Sequence, residues 1–579
     1  MDESSIISEI VPQLMRTLTD QIRSVMEISR WQLTASNGAN LEVQNDDREI
    51  EVHEFAIKAI KSYATEKIRL HQHHRNLLAP IHRLPSELIS LIFQFAVTDS
   101  SPSPFQADIS ATKRVPLNVA GVSKRWRQVA LDTPRIWAKI DMRSTSLVPL
   151  FLERSKGAPL DIETRSADIM ALCEPHIGRW RALRALIATK EAPSWLLAPA
   201  PKLEILNLAH DFSRSLTRSE AISELFMNRT PCLRELNLTG LFILPTPVLF
   251  SPLTKLSLTS LLYDGPFTWS QFLQAIQFSL ALEELRLNSV HAGGIPEADD
   301  AIKVSLPCLK VLVLNRVPPR FLPFILGRII MPATSRLEVE VDITSGDWNS
   351  VLPRDISHLH NIQSARHLLF DAAPIATRGG DGCSLRGQGL GGETLFLFVV
   401  HGGHGGRRVV AQNLFSNMGQ ALPVLFESIS ITSYMEEKWS AAKFANSLSS
   451  FPSVEELSLN SCNPKFIRAL TATPKRPPCP RLQRLKLTRC AIDESSLLSL
   501  VQARTSMKPR TGTRVPLQRL EITDCSQMNL SQEAISEMRE CLEVHWDREG
   551  GAGPSGGMHD GVEENQRDLW IEFANQFRQ

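Results

Sequence analysis

Apolar residues follow two rhythms along this chain of 579 residues. Near its start, Ile7, Val11, Leu14, Leu18, Ile22 and Val25 recur at steps of three and four. That spacing predicts an amphipathic helix, with Pro12 in the first turn, where a missing N–H costs least. Ser36-Asn37-Gly38 and the polar run to Asp47 break the pattern, and a second stripe follows at Ile57, Ile60, Ala64 and Ile68. Residues 1–76 read as a helical hairpin or short coiled coil, a spacer or a self-association element. The stretch from Leu84 to Ala96 is denser. Pro85 suits a first helical position and Glu87 the positive end of the helix dipole. Leu88, Leu91, Ile92 and Phe95 make one face at i, i+3, i+4, i+7, while Ile89, Phe93 and Ala96 make another. A helix apolar nearly all round needs cover on every side. Loop material around Ser101–Pro104 precedes a further stripe from Val115 to Leu131 through Val122, Trp126 and Val129. Asp132-Thr133-Pro134 ends that helix and opens a short third one with Ile136 and Trp137. Three short helices cannot enclose so much apolar surface. It is either a protein-binding patch or a surface covered by the domain that follows.

From about residue 155 the rhythm shortens to L-x-x-L-x-L, usually after a proline. Copies stand at Leu203, Leu206, Leu208; Leu233, Leu236, Leu238; Leu253, Leu256, Leu258; Leu282, Leu285, Leu287; and Leu309, Leu312, Leu314. Variants follow at Leu337, Val339, Val341 and at Ala365, Leu368, Phe370. Later copies are Phe426, Ile429, Ile431; Val454, Leu457, Leu459; Leu482, Leu485, Leu487; and Leu517, Leu520, Ile522. A period of about 28 with this phrase is the signature of leucine-rich repeats, each a short strand plus a helix or loop. No single repeat can bury its own apolar face, so the repeats must stack. Pro159–Glu163 and Leu183–Ile187 read as degenerate opening copies, and residues 155–546 as an irregular solenoid. Cys462, Cys490 and Cys525 each stand three residues after the last aliphatic position. They resemble the Asn/Cys site of the cysteine-containing repeat subclass and read as structural thiols.

Two stretches interrupt the pattern. Eleven glycines lie between Gly379 and Gly406, and Gly387, Gly389 and Gly392 satisfy G-x-G-x-x-G. A dinucleotide fingerprint needs a strand before it and a helix after it. Here a polar loop precedes and the strand-like Leu395–Val400 follows, so residues 376–410 read as a flexible, disordered insertion. His401 and His404 supply too few ligands for a metal site, as do His71, His73 and His74. Residues 547–579 read as a linker, Gly550–Gly561, and a C-terminal amphipathic helix bearing Trp570, Phe573, Ala574 and Phe577.

Charge and composition narrow the function by exclusion. Lys plus Arg number 63 against 62 Asp plus Glu, so no general electrostatic pull toward nucleic acid or an anionic membrane exists. The start lacks the basic and apolar regions of a secretory signal, and the apolar runs fall short of a bilayer span. Nine cysteines contain no C-x-x-C pair and suggest no disulfide framework. The string G-x-S-x-G occurs at Gly553–Gly557, but inside the Gly550–Gly561 linker and not between a strand and a helix, so it is no nucleophile elbow. No H-E-x-x-H or G-x-x-x-x-G-K-[ST] motif occurs, nor a paired Cys/His ligand set. The expectation is a reduced, soluble protein of the cytoplasm and/or nucleus, with no cofactor, no metal and no catalytic residue.

Leu84-Pro85, Glu87-Leu88 and Ile92-Phe93, followed by Val122-Ser123-Lys124-Arg125-Trp126 and by Thr133-Pro134 before Trp137, resemble the F-box family. The lead-in Leu77-Leu78-Ala79-Pro80-Ile81 is similar to that of the F-box proteins expanded in mushroom-forming fungi. The resemblance spans residues 77–141 and implies a three-helix domain that docks on the Skp adaptor of SCF-type cullin-RING ubiquitin ligases. It places Leu84, Pro85, Leu88, Ile92 and Phe93 against the adaptor, with Trp126 and Trp137 in support. The loop from Thr98 to Arg114 is longer than in the compact motif. In that family a C-terminal repeat domain selects the protein to be ubiquitinated. The fold expected is α/β: a helical N-terminal segment and three-helix F-box, then the irregular repeat solenoid. The function expected is a non-catalytic substrate receptor. The alternative is a repeat scaffold whose F-box-like helices pack internally, without a ubiquitin-ligase role.

Overall fold

The computed structural model describes residues 10–30, 41–98, 115–141, 145–187, 193–210, 225–241, 243–262, 268–291, 303–343, 348, 351–372, 382–402, 407–435, 439–471, 478–505, 515–525 and 528–547. The C-terminal linker and helix expected after Asp547, the Ser-Pro loop and the turn at Ser36–Gly38 lie outside the described residues. The chain divides into two compact units, one of residues 1–101 and 108–136, the other of 102–107 and 137–579.

The first unit is helical. Helix α1 spans Val11–Arg30 and α2 spans Leu41–Leu78. The Arg23 guanidinium grips the Glu49 carboxylate at 2.8 and 2.9 Å and ties the two helices together. The polar run to Asp47, which reads as a break in sequence, is the opening of α2. Carboxylates suit the positive end of a helix, so a loop-like composition there is compatible with helix. The stripe of Ile57 and Ile68 is not inward either: both are more than half exposed, while Val52 and Ala56 are buried. A 3-10 turn at Pro80–Arg83 leads to α3, Ser86–Thr98, and then to α4, Val115–Val122, and α5, Lys124–Leu131. The single helix expected from Val115 to Leu131 is two. Ser123 leaves the helical conformation and its hydroxyl accepts the Trp126 N–H at 3.2 Å, starting a new helix.

The second unit is built on parallel strands. They are β1 Lys139–Ile140, β2 Leu160–Thr164, β3 Trp180–Ile187, β4 Ile205–His210, β5 Glu235–Thr239, β6 Lys255–Leu262, β7 Glu284–His291, β8 Val304–Ser305, β9 Val311–Asn315 and β10 Ile329–Ile330. Then come β11 Arg336–Ile343, β12 His367–Asp371, β13 Gly382–Gln388, β14 Thr394–Gly402, β15 Ser428–Thr432, β16 Glu456–Asn460, β17 Arg484–Thr488, β18 Arg519–Thr523 and β19 Glu543–Trp546. Seventeen form one sheet, and β8 pairs with β10 apart from it. Strands β1 to β7 bond in chain order, β7 bonds β9, and β9 bonds β11. Strand β11 then pairs with β14, which leads through β13 to β12, and β12 to β19 continue by β15, β16, β17 and β18. The chain is thus a mixed α/β protein: a helical N-terminal region, then a large sheet with helices and 3-10 turns between strands.

Register explains why the leucine phrase recurs. Leu206, Leu236, Leu256, Leu285, Leu312 and Leu337 are successive cross-strand partners, and Leu208, Leu238, Leu258, Leu287, Leu314 and Val339 form the parallel column. A second pair of columns runs through Leu368, Ile429, Leu457, Leu485 and Leu520, and through Phe370, Ile431, Leu459, Leu487 and Ile522. All are buried. The backbone turns left-handed just past the strand at Gly240, Arg316, Ser433, Ser461, Arg489 and Asp524, and within β6 and β7 at Ser260 and Ser289, after which Leu261 and Leu262 still pair with Val290 and His291. At the first six, several N–H groups still bond the next strand, as Ser461 does to Thr488 O at 2.9 Å.

The following residue points inward. It is Leu241, Leu261, Val290 or Val317 early on, and Tyr434, Cys462, Cys490 or Cys525 later, all buried. Cys490 Sγ lies 3.4 Å from Leu459 O of the preceding strand and 3.3 Å from Thr488 O of its own. Cys462 and Cys525 repeat the arrangement with Ile431 O and Leu487 O. Burial raises all three thiols, Cys490 to about 11.

The glycine-rich segment requires a correction. Residues 382–402 are not a disordered insertion but two strands of the sheet. Strand β13 lies antiparallel between β12 and β14, and β14 pairs with β11 over seven residues from Leu337↔Phe396 to Ile343↔Gly402. Leu395 to Val400 are all buried, so both faces of β14 are covered, and its sequence runs continuously apolar rather than alternating. Glycine here provides room. A Cβ on Gly387 would run into the Phe396 ring across the strand pair. Residues 373–381 and 403–406 lie outside the described residues.

Candidate functional site

In the first unit, α3 presents the strongest candidate surface. Pro85 has no N–H to leave unsatisfied, and its carbonyl accepts the Ile89 N–H at 3.2 Å, so the helix begins cleanly. Of its two apolar faces one is inside. Ile89 and Phe93 are 0% and 1% exposed, and Ala120, Val129, Ala130 and Ile136 are buried in the same unit. The Trp126 ring, half-buried, lies 5.1 Å from Phe93 and 6.4 Å from His82. Thr133 Oγ1 donates to Val129 O at 2.6 Å and lies 2.9 Å from Ser90 Oγ, joining the end of α5 to the middle of α3. Arg125 locks the approach to the helix: its guanidinium donates to the carbonyls of His82 and, at 2.5 Å, Leu84.

The other face is bare. Leu88, Leu91, Ile92 and Phe95 are 45%, 47%, 42% and 66% exposed, with Pro85 exposed beside them and Leu84 half-buried. Four large apolar side chains on one stripe of a rigid helix form a patch of the kind that marks a protein-docking site.

Of the seven residues proposed from sequence, the structure brings Leu84, Pro85, Leu88 and Ile92 to this edge of α3. Phe93 does not face outward. It fills the core against Trp126, because the three helices have few other large side chains to pack there. Trp126 is half-buried and packs its ring against Phe93. Trp137 belongs to the second unit, wholly buried, edge-on to Phe151 at 5.2 Å with the Arg154 guanidinium 4.5 Å over its ring. Leu91 and Phe95, not among those seven, complete the face, and their helical spacing from Leu88 and Ile92 is the signal that points to them. Arg125 carries no signal of its own, since only the fold brings it to the carbonyls of residues far away in sequence.

Among the described residues α3 to α5 form a short helical bundle with one exposed apolar helix face. Residues 81–143 match the F-box-like family, so the chain carries an F-box-like domain. No curated protein matches the chain. Among the described residues there is no group of three or more His, Cys, Asp or Glu able to hold a metal ion, and no helix long and apolar enough to cross a membrane.

Proposed function

We propose that this chain is a non-catalytic substrate-recognition subunit of an SCF-type cullin-RING ubiquitin ligase, of the kind expanded in mushroom-forming fungi, acting in the cytoplasm and/or nucleus. F-box domains typically dock on Skp-type adaptors. The observation that carries the reading is the bare face of Leu88, Leu91, Ile92 and Phe95 within the matched residues 81–143. The ladder of register-aligned leucines supports reading the second unit as a leucine-rich-repeat solenoid, whose strand and loop side chains hold the target. Such a receptor raises the local concentration of substrate at a ligase whose chemistry lies elsewhere. The alternative is a repeat scaffold whose F-box-like helices pack internally and which has no ubiquitin-ligase role.

The test is co-purification of the full chain with a Skp adaptor, beside a Leu88→Asp/Ile92→Asp variant whose folding is checked by circular dichroism. Covering the exposed halves of Leu88 and Ile92 is worth about 1 kcal/mol each. A carboxylate forced into an apolar contact costs at least as much again, so the double variant loses about 4 kcal/mol, roughly a thousandfold. Both side chains already face water, so the variant should remain folded. An intact chain that binds no adaptor would transfer the argument to the scaffold.

A further inference from the structure

Within the first unit, α2 carries an apolar stripe that no described residue of that unit covers. Ile50, Ile57, Ile60, Ala64 and Ile68 follow at steps of seven, three, four and four. Ile50, Ile57 and Ile68 are 58%, 57% and 56% exposed, Ala64 is exposed, and only Ile60 is half-buried. Helix α1 lies elsewhere. Glu49, which holds Arg23 of α1, continues through the buried Val52 and Ala56 along a face about a quarter-turn round from the stripe. Ile60 sits at the border between the two faces.

Charge says what would cover the stripe. The first half of α2 carries six carboxylates between Glu42 and Glu54 against Arg48 alone, and the second half carries five cations between Lys58 and Arg75 against Glu66 alone. A parallel copy would set acid on acid and base on base. An antiparallel copy sets each acidic half against a basic half and closes as a two-fold, self-complementary interface. We propose that a second copy of this chain covers the stripe, the two α2 helices pairing antiparallel about the middle of Ile50–Ile68.

The proposal needs no adaptor and is independent of the ligase reading. The experiment measures the mass of the full-length chain by light scattering at low and high salt. Two variants cancel most of the charge of one half each: Glu51→Lys/Glu54→Lys, and Lys58→Glu/Lys61→Glu, all at exposed positions. The parent should run at twice its chain mass at micromolar concentration, each variant alone should dimerise at least about tenfold more weakly, and an equimolar mixture should regain the double mass. An Ile57→Asp/Ile68→Asp variant should be monomeric with unchanged helix content. A monomeric parent, variants that dimerise like the parent, or a mixture no better than its components would each overturn the antiparallel pairing.

Discussion

Replacing Gly387 by alanine adds one methyl group, and the structure says where it goes. The new Cβ would stand 2.6 Å from Phe396 Cδ1 and closer still to Cε1 and Cζ, where ordinary contact begins at 3.4 Å. The glycine's backbone is not left-handed, so the conflict is with the ring and not with the backbone conformation. Phe396 is 0% exposed and its ring centre lies 5.4 Å from that of Phe398, also buried, so it cannot yield without displacing the core of β14. Overpacking of this kind costs about 3 kcal/mol. Phe396→Leu alone opens a cavity at a cost of about 2 kcal/mol, yet it clears the space the methyl needs. The double variant should therefore be more stable than the sum of the single losses by about 2 kcal/mol. Urea midpoints for the parent, both single variants and the double variant complete the cycle. Because so large a sheet need not unfold as one unit, amide exchange over residues 382–402 should accompany them. A Gly387→Ala variant indistinguishable from the parent, or strictly additive losses, would mean that β13 does not lie against β14. The segment would then be the loose insertion its composition suggests.

Arg504 is 3% exposed and donates to Leu470 O at 2.9 Å, Cys479 O at 3.3 Å and Pro478 O at 2.8 Å. Arg504→Met should cost about 3 kcal/mol by orphaning those carbonyls, and Lys should rescue little because an ammonium cannot reach all three; a Met variant with an unchanged melting temperature would refute this. In the native state Cys232, Cys308 and Cys541 should alkylate readily, and Cys173, Cys383, Cys462, Cys479, Cys490 and Cys525 only on unfolding; simultaneous labelling of all nine would contradict the burial. Burial raises Cys173 and Cys479 from 9.0 to about 12. Between those pH values the unfolded chain has released protons that the native chain keeps. Stability is therefore full below pH 9 and falls above it, by about 1.4 kcal/mol per pH unit for each thiol. Cys173→Ala should flatten that alkaline slope, and an unchanged slope would refute the assignment.

The repeat columns are legible because a parallel ladder aligns identical positions of every repeat, so the register of the sheet is written as a spacing of leucines. The segment between Gly379 and Gly406 misleads for the opposite reason. Glycine frequency reports backbone freedom, but at Gly387 the residue is fixed by a phenylalanine nine positions on, and no local pattern encodes that contact. Along α3 the spacing alone defines two apolar faces of similar quality, and choosing between them requires knowing which one the rest of the bundle covers. Phe93 goes to the core because Trp126 lies against it, while Phe95, two residues on, remains outside. The same logic separates the stripes of α2: Val52 and Ala56 are the smaller residues, and a close neighbour such as α1 selects them, leaving the larger isoleucines at 50, 57 and 68 exposed. A stripe strong enough to be read from sequence yet left uncovered in the unit is, by this reasoning, a request for a partner. The Leu88–Phe95 face and the Ile50–Ile68 face are two such requests, and they differ in what flanks them. Opposed charge along α2 specifies a copy of itself, whereas the α3 face carries no such self-complementary pattern and fits a different chain.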